Sequence, residues 1–226
     1  MKSIYSFDGG KGGTGKSTVC ASFIDVCLNI AKKETLVIEA DTSNPDIAKM
    51  YNSAVETLPI CLDTREGFLE LATAIHKTPA EVIIINNPAR SEKWLQYGDV
   101  LTRNFDRLDA RMCVFWVANR QKDSLELCKN FVEKFTEIPL FFCMNSYFGD
   151  HGKFELWSQS KLRAKVLENG GGEIVFPDCA DRVMHAMRND RLRWDQAEAL
   201  DFGNLIEAER MRNECTQIFT PFIMNS

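Results

Sequence analysis

The chain has 226 residues, 45% apolar and 26% charged, and a formal net charge of −5. Such a composition belongs to globular proteins that bury a substantial core. It argues against the uniformly basic surface of a nucleic-acid coat, though a local basic patch is compatible with it. No apolar run approaches the roughly 18 residues needed to cross a bilayer, and the opening Met1–Phe7 is too short for a secretory leader. None of the eight cysteines has a partner at CxxC spacing, so reduced, mostly buried thiols in a cytoplasmic protein are expected, without zinc.

Taken in chain order, short apolar runs alternate with amphipathic ones. Lys2–Phe7 (KSIYSF) reads as a strand. Ser17–Ala31 follows with Val19, Phe23, Val26, Cys27 and Ile30 at helical spacing. Thr35–Ile38 is a β-branched strand, Pro59–Leu62 a short one, and Gly67–His76 a helix. Glu81–Ile85 is a buried strand ending at Asn86-Asn87-Pro88, and Arg111–Val117 is another. A helix over Asp123–Phe135, a strand over Ile138–Met144 and a helix near Lys153–Leu167 come next. Gly170-Gly171-Gly172 reads as a tight connection into a last strand, Glu173–Phe176, and Asn204–Phe219 as a terminal helix. Continuous apolar strands alternating with helices predict a three-layer α/β/α fold with a mostly parallel sheet, in a single domain spanning 1–226.

The segment Asp8–Thr18, DGGKGGTGKST, lies between the first strand and the first helix. Gly10 to Ser17 fits G-x-x-x-x-G-K-[ST], and the strand and helix on either side are the context that confirms a phosphate-binding loop. Gly10, Gly12, Gly13 and Gly15 let the backbone curl so that N–H groups, Thr14 included, turn toward phosphate oxygens. The helix that follows adds unpaired N–H groups and the positive end of its dipole. Lys16 is placed to reach the β- and γ-phosphates, the Ser17 hydroxyl to ligate Mg²⁺, and Thr18 to reach the α-phosphate. ATP and Mg²⁺ are therefore the expected ligands.

Lys11 is the informative extra. KGGTGKST resembles the deviant Walker A motif of the ParA/MinD superfamily of P-loop ATPases. The resemblance implies that Lys11 reaches across an ATP-dependent homodimer to the partner's phosphates. Val37-Ile38-Glu39-Ala40-Asp41 stands where the family carries a DxD motif, which implies that Asp41 lies near Mg²⁺ and the attacking water; a turn or helix-capping acid is the plain alternative. At the Walker B strand end, Asn86 replaces the usual aspartate and lacks the charge that offsets a metal. Nucleotide binding is thus a safer expectation than fast turnover. Asn145, after FFCM, is similarly placed to the family's adenine-contacting asparagine, with a strand-ending turn as alternative. Ile174–Asp178 (IVFPD), followed by Val183, Ala186 and Asn189, is similar to the family's segment after the last strand. Pro177 and Asp178 are accordingly implied near the base, although a proline there is also a plain terminator.

Within the superfamily, a nucleotide-switched dimer of the plasmid partition, conjugative transfer or mobilisation type is the leading reading, with weak ATP hydrolysis stimulated by a protein adaptor. A synthetase activating a small acid, or a binding module with little hydrolysis, are the alternatives. Cluster-bridging relatives are disfavoured because no cysteine lies between Asn86 and Arg111. Arg182, Arg188, Arg191 and Arg193, with Lys161, Arg163 and Lys165, are candidates for non-specific DNA contact; a solvated face balanced by Asp181, Asp190 and Asp195 is the alternative. The stretch Asn87–Arg107 is expected to form switch II and its helix.

Overall fold

Seven strands form one parallel sheet in the order β3-β2-β4-β1-β5-β6-β7. They are β1 Lys2–Asp8, β2 Thr35–Glu39, β3 Glu56–Pro59, β4 Val82–Asn86, β5 Ala110–Ala118, β6 Leu140–Asn145 and β7 Gly172–Phe176. The computed structural model describes residues 1–89 and 92–224. The helices are α1 Lys16–Asp25, α2 Asp46–Tyr51, α3 Arg65–Lys77, α4 Lys93–Tyr97, α5 Asp99–Thr102, α6 Phe105–Leu108 and α7 Lys122–Lys134, then α8 Glu155–Ser158, α9 Lys161–Glu168, α10 Asp181–Asn189 and α11 Phe202–Met224. They cover both faces of the sheet, which is why its strands read as unbroken apolar runs. In β4, Ile83 and Ile85 belong to one core layer, while Val82 and Ile84 belong to the other.

The layer containing α1 is anchored by aromatics. Phe23 of α1 lies 4.7 to 5.4 Å, centroid to centroid, from the rings of Tyr5, Phe7, Phe115 and Phe219. Burying one such ring contributes about 1.5–3 kcal/mol, and here it pins the helix that carries the glycine loop. Beyond Asp25 this helix continues as a π-helical turn over Val26–Ile30. The opposite layer packs Phe68 edge-on to Trp94 at 5.0 Å and stacks Phe142 flat on Trp157 at 3.7 Å.

Four elements differ from the sequence expectation. The short strand expected at Pro59–Leu62 lies at Glu56–Pro59 instead; it is an edge strand, where a proline is tolerated, and the Ile60 N–H beyond it still donates to the Glu39 carbonyl at 3.1 Å. The helix expected near Lys153–Leu167 is broken: Ser160 accepts a bond from the Arg163 N–H at 3.1 Å and starts α9 afresh. The terminal helix is longer than Asn204–Phe219, running to Met224 with Pro221 in its last turn. The expected switch II helix is three short ones, α4 to α6; residues 90 and 91 of that stretch lie outside the described residues. The glycine triplet is a tight connection as expected, since a side chain at Gly171 would strike the Leu140 carbonyl.

Strand register sets the place of the site. Phe7 pairs with Asn86, Glu39 with Asn86, and Asn145 with Phe176. Chain ends from β1, β2, β4, β6 and β7 therefore reach one carboxyl edge. β1 lies between β4 and β5, where the strand order reverses, and ligands bind beyond the carboxyl ends at such a switch point.

Candidate functional site

The glycine loop leaves β1 through Asp8, a buried residue whose carboxylate Oδ1 accepts from the Gly9 N–H at 2.6 Å and the Gly10 N–H at 3.1 Å. This acid ties the first bend of the loop. Geometry demands glycine at Gly10 and Gly15 in particular. Gly10 has φ +65°, and a side chain there would meet Leu127. Gly15 has φ +92°, and a side chain there would collide with the Asn145 amide. Both conformations are costly for residues with a Cβ.

A cavity of about 440 Å³ opens above the loop and the first turn of α1. Of the residues singled out from the sequence, Gly12, Gly13, Gly15, Lys16, Ser17, Thr18, Asp41, Asn145, Pro177 and Asp178 all line it. Gly10 instead lies against Leu127 and Trp116, and Thr14 is wholly buried under the loop. Lys16 is also buried, and its ammonium donates to the Lys11 carbonyl at 2.9 Å. Burial lowers its pKa, opposed by the carboxylates of Asp8 and Asp41. Lys11 does not line the cavity: its side chain forms an ion pair with Asp123, in the first turn of α7.

Asp41 lines the cavity and also shapes a turn. Its Oδ1 accepts from the Ser43 hydroxyl at 2.8 Å and the Asn44 N–H at 3.1 Å. Behind it sits Glu39, fully buried. Its carboxylate accepts from the Asn86 amide at 2.8 Å, the Asp41 N–H at 3.3 Å and the Ala48 N–H at 3.1 Å. Burial pushes the Glu39 pKa up, and these donors oppose the shift. The carbonyl oxygen of Asn86 is buried and, among the described residues, has no hydrogen-bond partner.

These donors fit Mg²⁺ held largely by a nucleotide. Among the described residues no cluster of three or more His, Cys, Asp or Glu could hold a metal alone. The Ser17 hydroxyl and the Asp41 carboxylate line the cavity, whereas the orphaned Asn86 oxygen is buried behind them and is not part of its lining.

Asn145 clamps the loop. Its Nδ2 donates to the Thr14 carbonyl at 2.9 Å and its Oδ1 accepts from the Tyr147 N–H at 3.1 Å, leaving one N–H and one lone pair for a ligand. Residues from α10 and α11 also enter the cavity wall, namely Met184, His185, Arg188 and Met211. The Pro177–Ala180 segment is tied to α11: Arg210 donates to the Asp178 carbonyl at 2.6 Å, and the Ala180 N–H donates to Glu207 at 3.1 Å. Glu207 and Arg210 were not identifiable beforehand, because about thirty positions separate them from the segment they hold and no local pattern marks them. Asn87 carries a similar unheralded role. Its amide donates to the Ser6 hydroxyl at 2.7 Å, and its oxygen accepts from the Trp94 indole at 2.8 Å, tying α4 to the sheet edge.

The basic groups separate in space. Arg193 is bound bidentately by Asp195 at 3.0 and 3.1 Å, and Arg163 by Glu173 at 2.8 Å on both arms. All eight cysteines are free, six of them buried. Among the described residues no helix is long and apolar enough to cross a membrane.

No family model matches the sequence. The chain is 39% identical over 219 residues to the MobD protein of Acidithiobacillus ferrooxidans, with 96% of each chain covered. Among solved structures, a candidate plasmid partition protein of Borrelia burgdorferi B31 bound to AMPPNP aligns over 95% of this chain and 98% of its own, with TM-score 0.57 and 15% identity. The septum site-determining protein MinD of Pyrococcus horikoshii OT3, in complex with Mg-ADP, aligns over 95% and 96%, with TM-score 0.51 and 17% identity. These likenesses are of fold, and the fold is that of the ParA/MinD-type P-loop ATPases.

Proposed function

The chain belongs to the MobD family, and from that premise we propose that it is a ParA-like nucleotide switch of a mobilisation or DNA-transfer system, binding ATP with Mg²⁺ and hydrolysing it slowly. The observation that carries the reading is the convergence of ten sequence-marked residues on one 440 Å³ cavity over a glycine loop and a helix N-terminus. In this reading residues 1–226 act as one cytoplasmic nucleotide-binding domain. Loop N–H groups and Lys16 hold the phosphates, and Ser17 ligates Mg²⁺, which when bound offsets phosphate charge. Asp41 orients water, with Asn145, Pro177 and Asp178 flanking the base. Lys11 leaves Asp123 to reach the phosphates of a second copy when two subunits close face to face, and a protein adaptor stimulates turnover.

Slow hydrolysis is favoured by Asn86. An amide stands where a carboxylate would help hold the metal, and phosphoryl transfer depends mainly on positioning and charge. The Arg193–Asp195 pairing weakens the case for DNA contact through that arginine. Titration with a fluorescent ATP analogue in the presence of Mg²⁺ tests the reading, together with light scattering for mass. Lys16→Ala is expected to abolish nucleotide binding, and wild-type protein to double its mass only with ATP. Undiminished binding by Lys16→Ala, or no binding by wild type, overturns it.

A further inference from the structure

A second cavity, of about 260 Å³, lies between the first turn of α1, helix α2 and helix α10, and adjoins the first, sharing Ser17, Thr18, Asp46, Met184 and Arg188 with it. Its apolar wall is made by Met50, Met184, Met187 and Trp194, with Met187 and Trp194 almost wholly buried. An apolar cavity of about 150 Å³ takes a benzene ring, so this one holds an aromatic or long aliphatic side chain with some of its backbone. Methionines suit such a wall, because their flexible, polarizable side chains adapt to the inserted group.

The rim is cationic. Lys49, Arg188 and Arg191 line the cavity and are exposed at its mouth. Lys49 shares Asp46 at 3.6 Å, whereas among the described residues neither Arg188 nor Arg191 has a salt-bridge partner. In a chain of net charge −5, this concentration of cations around an apolar opening runs against the overall field.

Arg191 supplies an independent sign. It occupies the left-handed region, with φ +52°, at the end of α10, where the Leu192 N–H returns to the Met187 carbonyl at 2.8 Å. Glycine is the ordinary residue at this kind of helix ending. Lys32 and Asp109 take the same conformation at other helix ends, so it is the combination with a side chain on the cavity mouth that distinguishes Arg191.

We propose that this cavity docks a partner protein through an aromatic or long aliphatic side chain flanked by carboxylates. Charge complementarity with Lys49, Arg188 and Arg191 steers and orients the segment, and the methionine and tryptophan wall buries its anchor. A DNA backbone would satisfy the cations but leave the apolar wall unused. The docking itself does not require the nucleotide reading given above.

Selection of random dodecapeptides displayed on phage, against nucleotide-free full-length protein, tests the proposal. Enrichment of Asp and Glu around a Phe, Trp, Leu or Met is expected, followed by anisotropy measurements on the enriched peptide. Lys49→Glu combined with Arg191→Glu should weaken that peptide about tenfold or more. Arg191→Gly removes the backbone strain, so it should raise the unfolding temperature while weakening the peptide several-fold. The pairing of higher stability with lower affinity separates docking from a folding defect. Absence of acidic enrichment, an enriched peptide insensitive to both variants, or a labelled DNA duplex binding through the same residues in place of peptide overturns the proposal. Failure of the ATP titration would overturn the nucleotide reading and leave this result standing.

Discussion

Asn86 donates its side-chain amide to the buried carboxylate of Glu39 across 2.8 Å, between the last paired residues of two neighbouring strands. The Glu39 carboxyl and the Asn86 amide therefore meet at the carboxyl edge beside the glycine loop, and the amide keeps its carbonyl oxygen unpartnered among the described residues. Asn86→Asp would set two carboxylates together in a buried place, where one must hold its proton or meet a cation. The variant is expected to unfold more easily by roughly 1–3 kcal/mol in metal-free buffer, to recover with Mg²⁺ and ATP, and to hydrolyse ATP faster. Calorimetry and phosphate release read these effects. An unchanged turnover would show that the missing charge does not limit hydrolysis.

The Lys11–Asp123 ion pair holds the loop's first lysine against α7 of its own chain. Lys11→Ala is expected to abolish ATP-dependent dimerisation while leaving monomer nucleotide affinity largely intact. Asp123→Ala frees the lysine and should strengthen dimerisation at a given ATP concentration. Analytical ultracentrifugation with and without ATP decides, and equal loss of binding and dimerisation in Lys11→Ala would remove the role in trans.

Gly15 combines a left-handed backbone with contact to the amide that clamps the loop. Gly15→Ala should cost about 1–3 kcal/mol of stability and eliminate measurable nucleotide binding, as read by thermal unfolding and analogue titration.

Arg210 ties the Asp178 carbonyl to α11. Its side chain is partly exposed, so the bond is screened by water. Arg210→Ala should weaken nucleotide affinity about two- to fivefold, or about 0.5–1 kcal/mol, with little change in unfolding temperature. A larger loss of stability than of affinity would mark the residue as structural only.

Glu173 is held below its ordinary value near 4.5, chiefly by Arg163 and also by the Trp157 indole. The ionised form is the one the fold favours. Its contribution is thus complete above pH 4.5 and is lost as pH falls through the depressed value. Glu173→Gln should lower stability by roughly 0.5–1 kcal/mol at neutral pH, with the gap to wild type closing in acid. Urea unfolding across pH reads this, and a gap independent of pH would contradict the assignment.

The glycine loop between β1 and α1, the parallel sheet and most elements are determined by local chemistry, and so were legible in the sequence. Glycine placement around Lys16, apolar runs of strand length, and helical spacing in α1 each act over a few residues. Ser160 also acts locally, yet its effect on an element boundary depends on whether its cap wins over the continuing helix. What tertiary structure alone decided is which distant groups meet. Glu39 finds Asn86 because β2 and β4 are neighbours in register, and Lys11 finds Asp123 because α7 follows the strand beside β1. Arg210 reaches the Pro177–Ala180 segment, and Arg191 a methionine-lined cavity, because α10 and α11 pack together in the layer that contains α1. Backbone conformation and side-chain period are short-range properties, whereas these pairings are set by strand order and helix packing, which bring residues together without any local mark on the chain.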